Sequence, residues 1–266
     1  MIIKPYEKQH YVTLLIKHPR NGHPYEIHIA KPIESPSNKG YGIIYVLDGN
    51  AMFETAAEIT RLMTRKPKGY DPAVVVGIGY PGGEPFDVER RTYDLTMKAD
   101  PAKLPVRPNR EPWPATGGAD ELLDLLENSI MPKLLTLFDI NPHKQALFGH
   151  SFGGLFTLHA LFMRPNLFTH YVASSASIWW NDYALHEEYE HYRLNRVKEI
   201  KPKVMLIVGA EELDHMIEDS RKLYERMKQD ADSGTVVQYM ELEQEEHVSV
   251  IPAAISRAVK GILTTE

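Results

Sequence analysis

The chain of 266 residues contains no cysteine. That absence excludes disulfides, a thiolate nucleophile and Cys-ligated zinc, and it fits a reducing compartment. Long apolar runs are also missing: nowhere do 18 apolar residues follow one another, so no membrane-spanning helix is expected. The opening MIIKPYEKQHYVTLLIKHPRNG is broken by lysines and histidines and has no apolar core of the secretion type. Excess positive charge is lacking too. A formal net charge of −6 leaves no general basic face for phosphates, which argues against a nucleic-acid partner. The expectation is a cytoplasmic protein with no membrane or nucleic-acid partner.

What is present is the material of a sizeable core. Hydrophobic residues make up 43% and charged residues 25%, and the length suits one large α/β domain over 1–266. YVTLLIKH (11–18) and PYEIHIAKP (24–32) alternate apolar and polar residues around a turn, predicting an antiparallel hairpin. IIYVL in 40–49, then 71–79, 144–149, 170–175 and 203–209 are continuous apolar runs, as in strands buried on both faces. A further strand is expected over 236–243. Helical spacing marks 51–65, 118–138, 152–164, 219–229 and 248–263, with Pro252 in the first turn of the last. The order predicts an α/β fold: a mostly parallel sheet with antiparallel N-terminal strands and helices on both faces. The stretch 79–118, rich in proline and glycine, reads as a long structureless loop bordering a site.

Chemistry concentrates at FGHSFGG (148–154). Gly149, His150, Ser151, Phe152 and Gly153 spell G-x-S-x-G between a strand and a helix, the context of a nucleophile elbow. The turn is tight enough to demand small flanks, and it thrusts the serine hydroxyl clear of the sheet. A serine hydroxyl needs a base. Elbow hydrolases place a histidine after the final strand, and His247 occupies that place. The acid that orients it should follow KVMLIVG, where Glu211, Glu212 and Asp214 are open choices. An oxyanion hole needs two backbone N–H donors. The pattern offers Phe152, next to the serine, and Asn50, just past the strand IIYVL.

Together YVLDGNAMF, GIGYPGGEPFDVERRTYDLT, GHSFGGLFTLHAL, SSASIWWND, LIVGAEE and EEHVSVIPAAISRA resemble the esterase branch of the α/β-hydrolases, specifically the siderophore esterases of enterochelin and bacillibactin type. The resemblance implies an α/β-hydrolase fold and hydrolysis of the ester bonds of a catecholate trilactone, releasing its iron. It implies Ser151 as nucleophile, His247 as base, Asn50 and Phe152 as oxyanion donors, and Glu212 as acid with Glu211 as fallback. No cofactor and no metal site are implied; the partner is a small-molecule ester. A bulky, anionic, aromatic substrate wants arginines and flat apolar surface. Arg90, Arg91, Trp113, Trp179 and Trp180 are therefore candidate substrate-binding residues, the alternative being that Arg90 pairs with Asp87 or Asp94 and that the tryptophans pack the edge of the core.

Competing readings are weaker. A general carboxylesterase, of feruloyl, acyl or S-formylglutathione type, would use the same elbow, and a non-catalytic binding protein would keep only the fold. Gly77, Gly79 and Gly82 spell G-x-G-x-x-G, but Pro81 intrudes where a dinucleotide site needs a helix to open. His186 and His191 in HEEYEH are five residues apart, too far round a helix to share one metal.

Overall fold

A computed structural model describes residues 10–36, 38–67, 69–195, 197, 199–231 and 235–265. Strands β1 (Tyr11–Lys17) and β2 (Pro24–Ala30) form the expected hairpin. They are followed by β3 (Tyr41–Val46), α1 (Gly49–Thr64), β4 (Ala73–Gly79) and α2 (Val88–Asp94). Then come α3 (Ala119–Leu125), α4 (Met131–Leu137), β5 (Ile140–His150), α5 (Phe152–Met163) and β6 (His170–Ser174). The chain ends with α6 (Trp180–Tyr183), α7 (Leu185–Asn195), β7 (Lys203–Gly209), α8 (Asp214–Asp230), β8 (Val236–Leu242) and α9 (Val250–Leu263). One eight-stranded sheet results, in the order β1-β2-β4-β3-β5-β6-β7-β8. β1, β2 and β4 pair antiparallel and every other neighbour pairs parallel. This is an α/β-hydrolase fold.

The continuous apolar runs serve two cores at once. Successive strand side chains point to opposite faces. Ile43 and Tyr45 of β3 therefore join the core under α3, α4 and α5, while Ile44 and Val46 join the core under α1 and α9. Strands β4 to β7 divide in the same way, and each fully buried aliphatic side chain contributes about 1.5–3 kcal/mol. Helix α5 is buried on every side from Phe152 to Phe162, as an all-apolar helix must be. Among the described residues no helix is long and apolar enough to cross a membrane.

Two expectations are corrected. The predicted helix over 118–138 is not continuous: a wide π turn, Leu126–Ile130, joins α3 to α4 just before Pro132, which lacks the N–H an α-helix would need there. The stretch 79–118 is not structureless either. It contains α2, whose N-cap Asp87 accepts from the Arg90 N–H, and which buries Thr92 and Asp94 rather than an apolar stripe. Apolar periodicity could not reveal such a helix. The loop beyond it closes on itself, for Gly118 N donates to Tyr93 O at 2.8 Å and Ala99 N to Thr116 Oγ1 at 3.1 Å. After Gly77, Gly79 and Gly82 no helix opens until Val88, whereas a dinucleotide site needs one to open at once.

Candidate active site

Ser151 sits between β5 and α5 at φ 59°, ψ −115°, a conformation that costs a non-glycine residue about 1–3 kcal/mol. The surroundings hold it there. Ser151 N donates to Ser174 O at 3.0 Å, and its carbonyl accepts from Ser177 N at 3.2 Å. Gly149 has to be glycine, because a Cβ there would collide with the Gly153 carbonyl. The turn lies at the carboxyl end of the sheet, over the buried N-terminus of α5.

The next-but-one strand brings the acid and the imidazole. β7 ends at Gly209, where any Cβ would strike the Glu245 carbonyl. The bare glycine lets the loop carrying His247 fold down over the strand end. His247 Nδ1 lies 2.8 Å from Glu212 Oε2. The other carboxylate oxygen accepts from Gly209 N at 3.2 Å and from the Ser175 hydroxyl. Burial alone would raise the Glu212 pKa, but the His247 and Ser175 hydrogen bonds outweigh it and hold it below the usual carboxylate range. The Glu212 side chain is 1% exposed and the His247 side chain 44%, so only the imidazole faces solvent. Glu211 and Asp214 point outward. The His247 ring rests on the ring of His150, centroid to centroid 4.7 Å, directly beside the serine's turn. His150 is 3% exposed, and burial, with the charges of His247 and Arg91, pushes its pKa well down. It is a neutral spacer.

Asn50 and Phe152 lie in the first turns of α1 and α5, where N–H groups have no carbonyl four residues back to bond. Asn50 is clamped through its side chain: Oδ1 accepts from Tyr80 N at 2.7 Å and Nδ2 donates to Tyr80 O at 2.8 Å. Asp48, two residues earlier, has φ 49° and ψ 50°, again the left-handed region. Its carboxylate is bidentate with Arg91, Nε to Oδ1 and Nη2 to Oδ2, both 2.9 Å.

Ser151, Ser177, Glu212 and His247 open into one cleft of about 800 Å³, walled by Trp113, Trp179 and the loop Leu104–Pro108. Trp113 Nε1 donates to Pro105 O at 2.7 Å, and the Arg107 guanidinium lies 5.6 Å over its ring. The remaining three candidates for substrate contact are placed elsewhere. Trp180 is wholly buried and donates to Met97 O at 3.1 Å, so it belongs to the core. Arg90 is stacked 4.8 Å from both the Tyr25 and the Tyr80 rings and pairs with Asp94 at 3.4 Å. Arg91 is consumed by Asp48. A guanidinium already holding a buried carboxylate has no free fork to offer an anion. The cleft's cations are instead Lys103 and Arg107.

Sequence reasoning passed over Asp48, Ser175 and Ser177. The signal was present in SSAS after β6 and in the Asp-Gly after β3, since polar residues clustered at the carboxyl ends of parallel strands mark the ligand side of an open sheet. In HEEYEH, Glu188 reaches His159 Nδ1 at 2.8 Å, and no metal-binding group of side chains occurs among the described residues.

An imidazole held by a buried carboxylate beside a strained serine can deprotonate a hydroxyl and reprotonate a leaving group. Comparison with known proteins agrees. The profile of the family described as "Putative esterase" matches residues 19–248. The chain is 38% identical over 245 residues to the ferri-bacillibactin esterase BesA of Bacillus subtilis, covering 90% of this chain and 84% of that protein. It is 35% identical to the siderophore triacetylfusarinine C esterase of Aspergillus fumigatus, covering 90% and 88%. The crystal structure of the BES protein from Bacillus cereus superposes with a TM-score of 0.92 at 36% identity over 100% of both chains. The chain belongs to this esterase family and is a serine hydrolase of the α/β-hydrolase fold.

Proposed function

We propose that this protein hydrolyses the ester bonds of a catecholate trilactone siderophore inside the cell, releasing its iron. The observation that carries the reading is the 2.8 Å contact of His247 Nδ1 with Glu212, at the mouth of an aromatic-walled cleft shared with Ser151. With Nδ1–H donated to the carboxylate, the Nε2 lone pair is free to take the Ser151 proton. Ser151 Oγ bonds the ester carbon, and the carbonyl electron pair moves onto oxygen. That oxygen is met by the N–H groups of Asn50 and Phe152, worth about 2.7–4 kcal/mol per donor in comparable sites. Collapse breaks the acyl–oxygen bond, and the imidazolium returns its proton to the departing alkoxide of the substrate. Water then repeats the sequence on the acyl-enzyme.

The walls suit the substrate. Trp113 and Trp179 offer flat faces for catechol rings, and Lys103 and Arg107 offer positive charge to an anionic ferric complex. The absence of cysteine accords with a cytoplasmic site of action.

The test is Ser151→Ala assayed on a ferric catecholate trilactone and on p-nitrophenyl acetate. The variant should fold and lose at least about a thousandfold in kcat on both. The trilactone should also compete out the simple ester in the wild type. Equal turnover by the variant would overturn the serine mechanism; preference for the simple ester would favour a general carboxylesterase.

A further inference from the structure

We propose that Ser177 is a further catalytic residue, donating a hydrogen bond to the nucleophile oxygen of Ser151; the inference rests on the esterase reading above. The SASIWW segment supplies no group to the mechanism so far, yet it reaches both ends of the proton relay. Ser175 and Ser177, two residues apart beyond the end of β6, are turned to different partners. The Ser175 hydroxyl is spent on Glu212, and Ser175 takes φ 45° to bring it there. Ser177 is left beside the nucleophile. Its Oγ lies 3.4 Å from Ser151 Oγ, and it lines the cleft although the residue is only 2% exposed.

The main chains of the two serines are tied to each other. Ser177 N donates to Ser151 O at 3.2 Å, Ser151 N donates to Ser174 O at 3.0 Å, and Trp180 N closes the turn on Ser177 O at 3.1 Å. The fold thus sets the two side chains next to each other, within reach of a hydrogen bond. At 3.4 Å the contact is at the long end for two hydroxyls in a resting site, and such bonds tighten as charge develops.

Proton counting fixes the direction. A serine hydroxyl has one proton and two lone pairs. When the Ser151 proton points at His247, Ser151 Oγ can only accept from Ser177, so Ser177 must be the donor. A donor at that oxygen gains most when the oxygen carries negative charge. That happens twice: as Ser151 attacks the ester, and as it leaves the acyl-enzyme when water attacks. In the acyl-enzyme between them the oxygen is a poor ester acceptor. Differential stabilisation of this kind raises kcat without tightening substrate binding. The Ser177 proton is not transferred at any step.

Ser177→Ala and the near-isosteric, weakly donating Ser177→Cys test this on p-nitrophenyl acetate and on inactivation by an organophosphate such as diisopropyl fluorophosphate, which needs only nucleophilic attack. The expectation is a loss of about tenfold in kcat and in inactivation rate for Ala, with Cys between Ala and wild type. KM should stay within about twofold, and melting temperature within a few degrees. Wild-type rates in both variants would overturn the inference, as would a lowered melting temperature with unchanged rates. Ser151→Ala separates the two proposals. If it is inactive while Ser177→Ala is unimpaired, only the Ser177 role falls; if it is active, the esterase mechanism itself falls.

Discussion

The ends of β3 and β5 invite comparison, because the two strands are parallel neighbours, Val46 opposite Phe148, and each turns into a helix through a strained non-glycine residue. Asp48 and Ser151 both have positive φ, 49° and 59°. One hides its polar group and the other displays it. The Asp48 side chain is 1% exposed and is neutralised by Arg91; the Ser151 hydroxyl opens into the cleft. The same backbone device therefore buries a charge pair at one turn and presents a hydroxyl to the cleft at the other. What differs is whether a long-range partner caps the side chain. Arg91 also stands 5.2 Å over the Phe152 ring, so one guanidinium braces both turns.

The largest effect on stability should come from breaking the hidden turn. Arg91→Met leaves Asp48 as an unpaired buried carboxylate, which costs about 3–5 kcal/mol. Adding Asp48→Asn removes the charge and should return a large part of that loss. Urea unfolding of the single and double variants measures it, and additive losses would refute the pairing argument. Ser151→Ala, at the displayed turn, should change stability by less than about 1 kcal/mol while abolishing turnover.

A smaller effect sharpens the contrast from the far side of α5. His159 is 2% exposed in the apolar helix that follows Ser151. Its Nδ1 lies 2.8 Å from Glu188 and its Nε2 3.4 Å from Asp120. Burial opposes its charge, but the pairing with Asp120 and Glu188 prevails and raises its pKa to about 9. A folded-state pKa above the unfolded value of about 6.5 contributes stability that is full below that value and is lost as pH rises through 9. The contribution is about 2–3 kcal/mol. Thermal melts from pH 6 to 10 should fall across this window in the wild type and stay flatter in His159→Gln.

The displayed turn was legible in the sequence and the hidden one was not, for a physical reason. G-x-S-x-G is local: strand, glycines, serine and helix all lie within about a dozen residues, and sterics dictate the pattern. His247 was legible by its place after the last strand. Glu212 and Glu211 could not be separated by spacing, because adjacent residues in a turn point apart and only the fold shows that Glu211 faces solvent. Trp179 and Trp180 make the same point, one in the cleft and one in the core. The Asp94 partner of Arg90 lies four residues on and was open to sequence reading, but for Arg91 the charge is written in the sequence and the partner is not. The partner of Arg91 is 43 residues away.

The smallest effect probes what the hidden turn is for. Asn50 follows Asp48 and Gly49, and its amide is double-clamped to the Tyr80 backbone. Asn50→Ala removes both bonds and leaves the Tyr80 N–H without that acceptor, costing about 1–2 kcal/mol. If the clamp served stability alone, activity would follow the folded fraction and nothing more. If it aims the Asn50 N–H at the oxyanion, kcat should fall about tenfold at temperatures where the variant is fully folded, with KM little changed. The distinction is readable because only main-chain atoms of residue 50 touch the substrate in the mechanism proposed. A side-chain change can reach the reaction there only through geometry, so a kcat loss without a folding loss would show that the strained turn at Asp48 is held in place for the sake of its neighbour's N–H.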